Sequence, residues 1–247
     1  MGKVYLIGAG PGAADLITVR GARLLGDADV VLHDALVEPA MLDYAPDARK
    51  IAVGKRCGQR STAQQFINKQ IVDAARVHDV VVRLKGGDPM LFGRADEEMR
   101  ALEAAGIEYE VVPGITAALA SAASLKRSLT LRGVSRSVAL ATYSRAPDSA
   151  EIREQVNADS LVFYMGRDSA PEIASGLIEA GRGGDTPVAI VEACSTARER
   201  MLTLTLQGLA DGEAQLWLDP AQPSLLMIGE GFAERRVGVV EGLLVAA

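Results

Sequence analysis

Leu84–Arg94 reads LKGGDPMLFGR: two adjacent glycines, a carboxylate and a proline, then an apolar run closed by Gly-Arg. Before it lies VVVRL (Val80–Leu84), continuous, β-branched and short, the pattern of a strand buried on both faces. After it, ADEEMRALEAAG reads as a helix stopped by Gly106. The glycines therefore fall at the carboxyl end of a strand in an alternating strand–helix chain, where open α/β sheets bind ligands. Paired glycines let a backbone approach a ligand closely and take up positive φ. Asp88 supplies an acceptor there, and Pro89 fixes the turn.

The same alternation runs through the first half. Strands are expected at Lys3–Ile7, Val30–His33, Lys50–Val53, Val80–Leu84 and Glu108–Val112. Helices are expected near Asp15–Leu25, Pro39–Tyr44, Ser61–Val77 and Arg94–Ala105, with Ser61 and Gln64 forming a capping box. This order predicts a largely parallel sheet with helices on both faces. Pro113-Gly114 ends that half, and an alanine-rich helix (Ile115–Ser124) opens the next. Strands follow at Ser137–Thr142, Ser160–Tyr164, Val188–Glu192, Met201–Leu206 and Leu225–Gly229. Helices are expected near Ser149–Val156, Ala170–Ala180 and Gln207–Ala214. MLTLTL (Met201–Leu206) alternates and precedes a helix, which predicts a mixed second sheet. The expectation is two α/β domains, residues 1–113 and 114–247, and a loosely held tail from Val237.

Composition narrows the partners. Aromatics are 4% of the 247 residues, too few for stacking platforms that bind single-stranded nucleic acid. No apolar run approaches the ~20 residues that span a membrane, and MGKVYLIGAG runs straight into a strand without a signal-peptide layout. Cys57 and Cys194 have neither metal nor disulfide spacing, and neither His33 nor His78 has ligand spacing. A soluble cytoplasmic protein without a metal is expected. The net charge is −6, yet two stretches hold no acid. Between Asp47 and Asp73 lie Arg49, Lys50, Lys55, Arg56, Arg60 and Lys69; between Glu110 and Asp148 lie Lys126, Arg127, Arg132, Arg136 and Arg145. Such islands suit an anionic small ligand, although solvated surface cations give the same pattern.

GAGPG (Gly8–Gly12) after the first strand fits the dinucleotide pattern G-x-G-x-x-A through Gly8, Gly10 and Ala13, with Asp29 or Asp34 about twenty residues on. Pro11 opposes that reading by removing an N–H that would cradle a pyrophosphate. Asp34 itself ends a strand, a place suited to chemistry and equally to an N-cap. Leu91 and Met165, taken alone, read as ordinary core.

GAGPG, GKR (Gly54–Arg56), GGDPMLFGR and PGIT (Pro113–Thr116), in this order and at strand ends, resemble the tetrapyrrole methylase family over nearly the whole chain. Within it the sequence is most similar to the uroporphyrinogen-III C-methyltransferases. The resemblance implies a class III methyltransferase fold, S-adenosylmethionine as cofactor with S-adenosylhomocysteine as product, no metal, and a homodimer. It implies cofactor contacts at Pro11, Gly86, Gly87, Asp88, Leu91, Thr116, Ala117, Met165 and Cys194, mostly through backbone. It makes Asp34 a proton acceptor and Lys55 a proton donor, Lys55 serving equally well as a fixed cation for a substrate carboxylate. It assigns Arg94, Glu97 and Arg132 to a polyanionic tetrapyrrole, where planar arginines suit carboxylates. The implied reaction is methylation of uroporphyrinogen III at C2 and C7, giving precorrin-2 for cobalamin or sirohaem. Ala35, Leu131 and Tyr143-Ser144 depart from the family's usual Arg, His and Gly-His, and LTLRGV is similar to precorrin-4 methyltransferases.

Overall fold

The computed structural model describes residues 1–53, 64–143 and 157–233. Ser61, Lys55, the expected helix at Ser149–Val156 and the tail from Val237 lie outside these residues.

The first sheet is wholly parallel. Its strands are β1 (Lys3–Gly8), β2 (Val30–His33), β3 (Arg49–Ala52), β4 (Val80–Lys85) and β5 (Tyr109–Val112), in the order β3-β2-β4-β1-β5. Parallel strands need crossovers, so the helices α1 (Val19–Gly26), α2 (Gln64–Val77) and α3 (Ala95–Ala104) alternate with them. Both faces are covered. Val4, Leu6, Val30, Leu32 and Val81 pack with Ile67 and Ile71 of α2 and Leu102 of α3. Their neighbours in the pleat, Ile7, Val31, Val82 and Leu84, pack with Leu25 of α1 and with Met41. Gly106, at φ +66, ends α3: Gly106 N–H bonds Glu103 O at 3.0 Å and Ile107 N–H bonds Leu102 O at 3.0 Å. Ile107 then buries beside Leu102, so the stop is also a hydrophobic contact.

Val112 is followed by Pro113-Gly114 and by α4 (Ala117–Leu125), whose buried alanines 118, 120 and 122 pack on the second sheet. That sheet holds β6 (Val138–Thr142), β7 (Ser160–Tyr164), β8 (Pro187–Glu192), β9 (Arg200–Thr205) and β10 (Ser224–Ile228), in the order β6-β7-β10-β8-β9. β6 and β7 are parallel; the other pairs are antiparallel. The sheet is mixed, and its opposite face is covered by α5 (Ala170–Glu179) and α6 (Leu206–Ala210).

Three expected helices differ in detail. The first splits into a 3-10 turn at Ala14–Leu16 and α1, because Thr18 is extended (ψ 149) and its side chain caps Gly21 N–H. Pro39–Tyr44 is 3-10 throughout. The last helix stops at Ala210, because Gly212 takes φ +81 and Glu213 N–H turns back to Gly208 O at 3.0 Å. Among the described residues no helix is long and apolar enough to cross a membrane.

Candidate functional site

The glycine loops after β1, β4 and β5 close on one another at the carboxyl end of the first sheet. Gly10 and Gly87 exchange backbone hydrogen bonds, N–H to O, at 3.1 and 2.7 Å. A Cβ on Gly8 would lie 2.6 Å from Gly114 Cα and 2.7 Å from Gly87 O, so only glycine permits that contact. Asp88 pins two loops together: its Oδ2 accepts from Gly114 N–H at 2.9 Å and its Oδ1 from Met90 N–H at 2.8 Å. Above Gly87 the space is open. A Cβ there would meet only Thr116 Cα, at 3.9 Å, although Gly87 sits at φ +67.

The second sheet brings its own loops to this rim. Tyr164, at the end of β7, shares a 2.5 Å hydrogen bond with Thr116 Oγ1 and accepts from Ala118 N–H at 3.0 Å. Burial pushes its phenol above the usual tyrosine value. Phe92 stands against the Tyr164 ring with centroids 5.1 Å apart. Ser195 Oγ accepts from Ala13 N–H at 2.9 Å, and a Cβ on Gly12 would lie 2.8 Å from Cys194 O. Arg198 pairs with Glu38 at 2.9 Å across the two halves. Phe92, Arg94, Met165, Ala193 and Ser195, none of them glycine, all have φ between 50 and 58°. Left-handed backbone costs such residues roughly 1–2 kcal/mol each. Strain of this kind persists where surrounding structure imposes it, and it gathers at ligand sites.

Beneath the rim lies a buried charge network. Arg83 of β4 is 2% exposed. It donates to Asp34 Oδ1 through Nη2, to Glu98 Oε1 through Nε at 2.9 Å, and to Leu32 O and Leu84 O through Nη1 at 3.4 and 3.2 Å. Glu98 Oε2 pairs with Lys85 Nζ at 3.0 Å, and Gln64 Nε2 donates to Glu98 Oε1 at 3.3 Å. Burial first, and the Arg83 cation second, pull the Lys85 ammonium below its ordinary value. The Asp34 side chain, 30% exposed, is the member of this set that reaches the surface. It caps no helix: the following 3-10 helix starts at Pro39, and its N-cap residue is Glu38, which makes no side-chain cap.

The fold thus brings together Pro11, Gly86, Gly87, Asp88, Thr116 and Ala117 around the loops. Met165 is 55% exposed beside Tyr164, so it is not core; Leu91 is half-buried. The Cys194 side chain turns the other way, into the packing under α4 near Ser121, and burial pushes its thiol up to about 11. Only its backbone faces the GAGPG loop. Arg94 opens α3 and is held by Glu97 through two hydrogen bonds of 2.7 and 2.9 Å. Arg132 stands apart on an exposed turn closed by Leu131 and Ser135, without an ion pair to another described residue. Sequence reading missed Arg83, Glu98, Tyr164 and Ser195. A charge within a strand as apolar as VVVRLK was the available signal for the first, since buried charges need partners.

The geometry also bears on the dinucleotide pattern. α1 begins at Val19, seven residues beyond Gly12, and only the short 3-10 turn at Ala14–Leu16 lies between, so no α-helix N-terminus backs the GAGPG loop. Asp29 lies at the opposite end of the sheet, where its Oδ2 accepts from Asp79 and Val80 N–H at 3.0 and 2.8 Å. Among the described residues no cluster of His, Cys, Asp and Glu could hold a metal ion.

Residues 3–210 match the tetrapyrrole (corrin/porphyrin) methylases. The uroporphyrinogen-III C-methyltransferase of Pseudomonas aeruginosa is 44% identical over 231 residues, covering 93% of this chain and 94% of that protein. The siroheme synthase of Psychrobacter cryohalolentis is 43% identical over 235 residues, again 93% of this chain but 44% of that protein. The chain thus spans less than half the length of that relative. Among solved structures, a uroporphyrin-III C-methyltransferase from Thermus thermophilus complexed with S-adenosylhomocysteine superposes with a TM-score of 0.82 at 38% identity. That alignment covers 95% of this chain and 96% of the other. With its parallel first sheet and mixed second sheet, the chain has the two-domain class III methyltransferase fold and belongs to the tetrapyrrole methylase family, closely related to the uroporphyrinogen-III C-methyltransferases.

Proposed function

We propose that the protein is an S-adenosylmethionine-dependent C-methyltransferase that converts uroporphyrinogen III to precorrin-2, by methylation at C2 and C7, on the route to cobalamin or sirohaem. The observation that carries this reading is the open space above Gly87, walled by loops of both sheets. Its residues fit the cofactor. The backbone of Gly86 and Gly87 permits close approach, Thr116 and Ala117 form the far wall, and Leu91 with the exposed Met165 offers soft apolar surface. Pro11 and the Cys194 backbone bound the other side. Asp88, with both oxygens engaged by backbone, acts by shaping the loops.

When bound, the cofactor supplies an electrophilic methyl group on a sulfonium. The chain's residues supply placement, since in-line alignment of reacting atoms is itself worth several powers of ten in rate. Methylation of a pyrrole carbon leaves the ring cationic, and a proton must then leave it. Asp34, at the carboxyl end of β2, is the acceptor in this reading. Lys55, outside the described residues, acts as donor or as an anchor for a substrate carboxylate. Arg94, Glu97 and Arg132 hold the substrate's rim. Exposed Leu119 of α4 and Val138 of the edge strand β6, which line one groove with Leu129 and Leu140, offer a face for a second copy, in keeping with a homodimer.

Two measurements test the proposal. Calorimetry is expected to show micromolar S-adenosylhomocysteine binding and no comparable binding of NAD; the reverse pattern ends the assignment. Incubation with S-adenosylmethionine and enzymatically made uroporphyrinogen III is expected to give a product whose chromophore is red-shifted after oxidation. Cofactor binding with turnover only on later precorrins would move the step further along the corrin route.

The substrate face has its own test. Arg132→Ala is expected to raise the Michaelis constant for uroporphyrinogen about ten- to a hundredfold, the cost of one charge-assisted hydrogen bond. Cofactor affinity should hold, because Arg132 lies on a separate turn. An unchanged Michaelis constant removes it from the substrate face. Leu131, 45% exposed, has room for histidine, so Leu131→His should be tolerated.

A further inference from the structure

We propose that Arg83 is a positioning residue for the Asp34 carboxylate, locked in place by the Glu98–Lys85 pair. The inference rests on the reading of Asp34 as proton acceptor. Its basis is the way the guanidinium is used. Nε, Nη1 and Nη2 are all engaged, on two carboxylates from different elements and on the backbone carbonyls of Leu32 and Leu84. Those contacts fix the guanidinium plane against β2 and β4. The planar fork then fixes the direction in which Nη2 meets Asp34.

Glu98 is fixed in turn. Its Oε1 takes Arg83 and Gln64, its Oε2 takes Lys85 at 3.0 Å, and Gln64 is itself held by Asn68 at 2.9 Å. Elements β2, β4, α2 and α3 thus meet on one carboxylate pair. Arg83, Lys85 and Glu98 are each 2% exposed or less. Such a buried set is a weak source of stability, since apolar residues of similar size hold a core as well or better. What it can do, and apolar residues cannot, is orient a charge. The charge it orients is the partly exposed Asp34. Asp34 Oδ1 is taken by Arg83, and Oδ2 bonds no described residue, which leaves it for a substrate proton. An arginine neither gives up nor receives that proton at working pH, so it aims the acceptor without competing with it. Of the other charged groups around Asp34, Glu98 and Lys85 act through Arg83, and His33 contacts the Asp34 backbone oxygen at 3.2 Å.

A double-mutant cycle on the full chain tests this. Arg83→Lys keeps a buried cation but loses the fork. It is expected to slow single-turnover methylation about ten- to a hundredfold, the scale of a small misplacement of a reacting group. S-adenosylhomocysteine affinity should stay within about twofold. In an Asp34→Ala background the same change should cost less than about threefold, because an aimed residue and its aimer act as a unit. Glu98→Gln, which keeps the shape, should show the same non-additivity and serves if Arg83→Lys does not fold. Equal losses in both backgrounds, or a folded Arg83→Lys with normal turnover, overturn the proposal. A fully active Asp34→Ala instead overturns the reading of Asp34, which separates the two failures.

Discussion

Asp34→Asn is expected to cut single-turnover methylation by about 10²–10⁴-fold, the usual contribution of a general base, while leaving the melting temperature close to that of the parent. The amide oxygen can still accept from Arg83 Nη2, so the buried guanidinium keeps its partner. The amide cannot take up the ring proton. Asp34→Ala should be as slow and also less stable, because it leaves one arm of a buried cation unpaired. Losing a partner of a fully buried pair costs about 3–5 kcal/mol. Asp34 is 30% exposed, so water can replace it and the loss should be well below that range. Measuring rate, melting temperature and S-adenosylhomocysteine affinity on the same preparations separates the roles. A stable, fully active asparagine variant would strike Asp34 from the catalytic residues and send the search for a base to Lys55 or to bound water.

The sheet was legible because its strands are buried on both faces. VYLIG, VVLH and VVVRL leave little room for another reading, and each became a central strand. Helix starts were less legible. The single helix expected near Asp15–Leu25 is interrupted at Thr18, which turns extended and caps α1. Within the site, the glycine loops could be found because close backbone contact demands glycine at Gly8 and Gly114, and a left-handed φ of +67 favours it at Gly87. The side chains that hold the loops could not. Glu98 sits in ADEEM, which reads as a solvated first turn, yet it is 1% exposed beneath β4. Its partners are 15 residues away at Arg83 and 34 away at Gln64. Ser195 meets Ala13 across 182 residues. No local pattern encodes such pairs; the first two follow from helices packing on the first sheet, and the last from the two domains folding against each other.

Gly87→Val should abolish measurable S-adenosylhomocysteine binding, a loss of at least about a hundredfold, in a protein that still folds. The two halves of that expectation have different causes. Folding should survive because a Cβ at this position meets no protein atom closer than Thr116 Cα at 3.9 Å. The penalty is then the backbone strain of a side chain at φ +67, roughly 1–2 kcal/mol and somewhat more for a β-branched residue. Phe92, Met165 and Ser195 already bear such strain in neighbouring loops. Binding should fail because the same absence of protein atoms marks the space a ligand needs, and the valine methyls would fill it. Gly87→Ala, with one carbon at that point, should weaken binding less, so the two variants form a series in which affinity falls with side-chain volume. Calorimetry with S-adenosylhomocysteine, alongside circular dichroism for the fold, reads both halves. Retained affinity in a folded Gly87→Val would mean that the space above Gly87 is not where the cofactor lies, and the assignment of Gly86, Leu91 and Thr116 to it would fall at the same time.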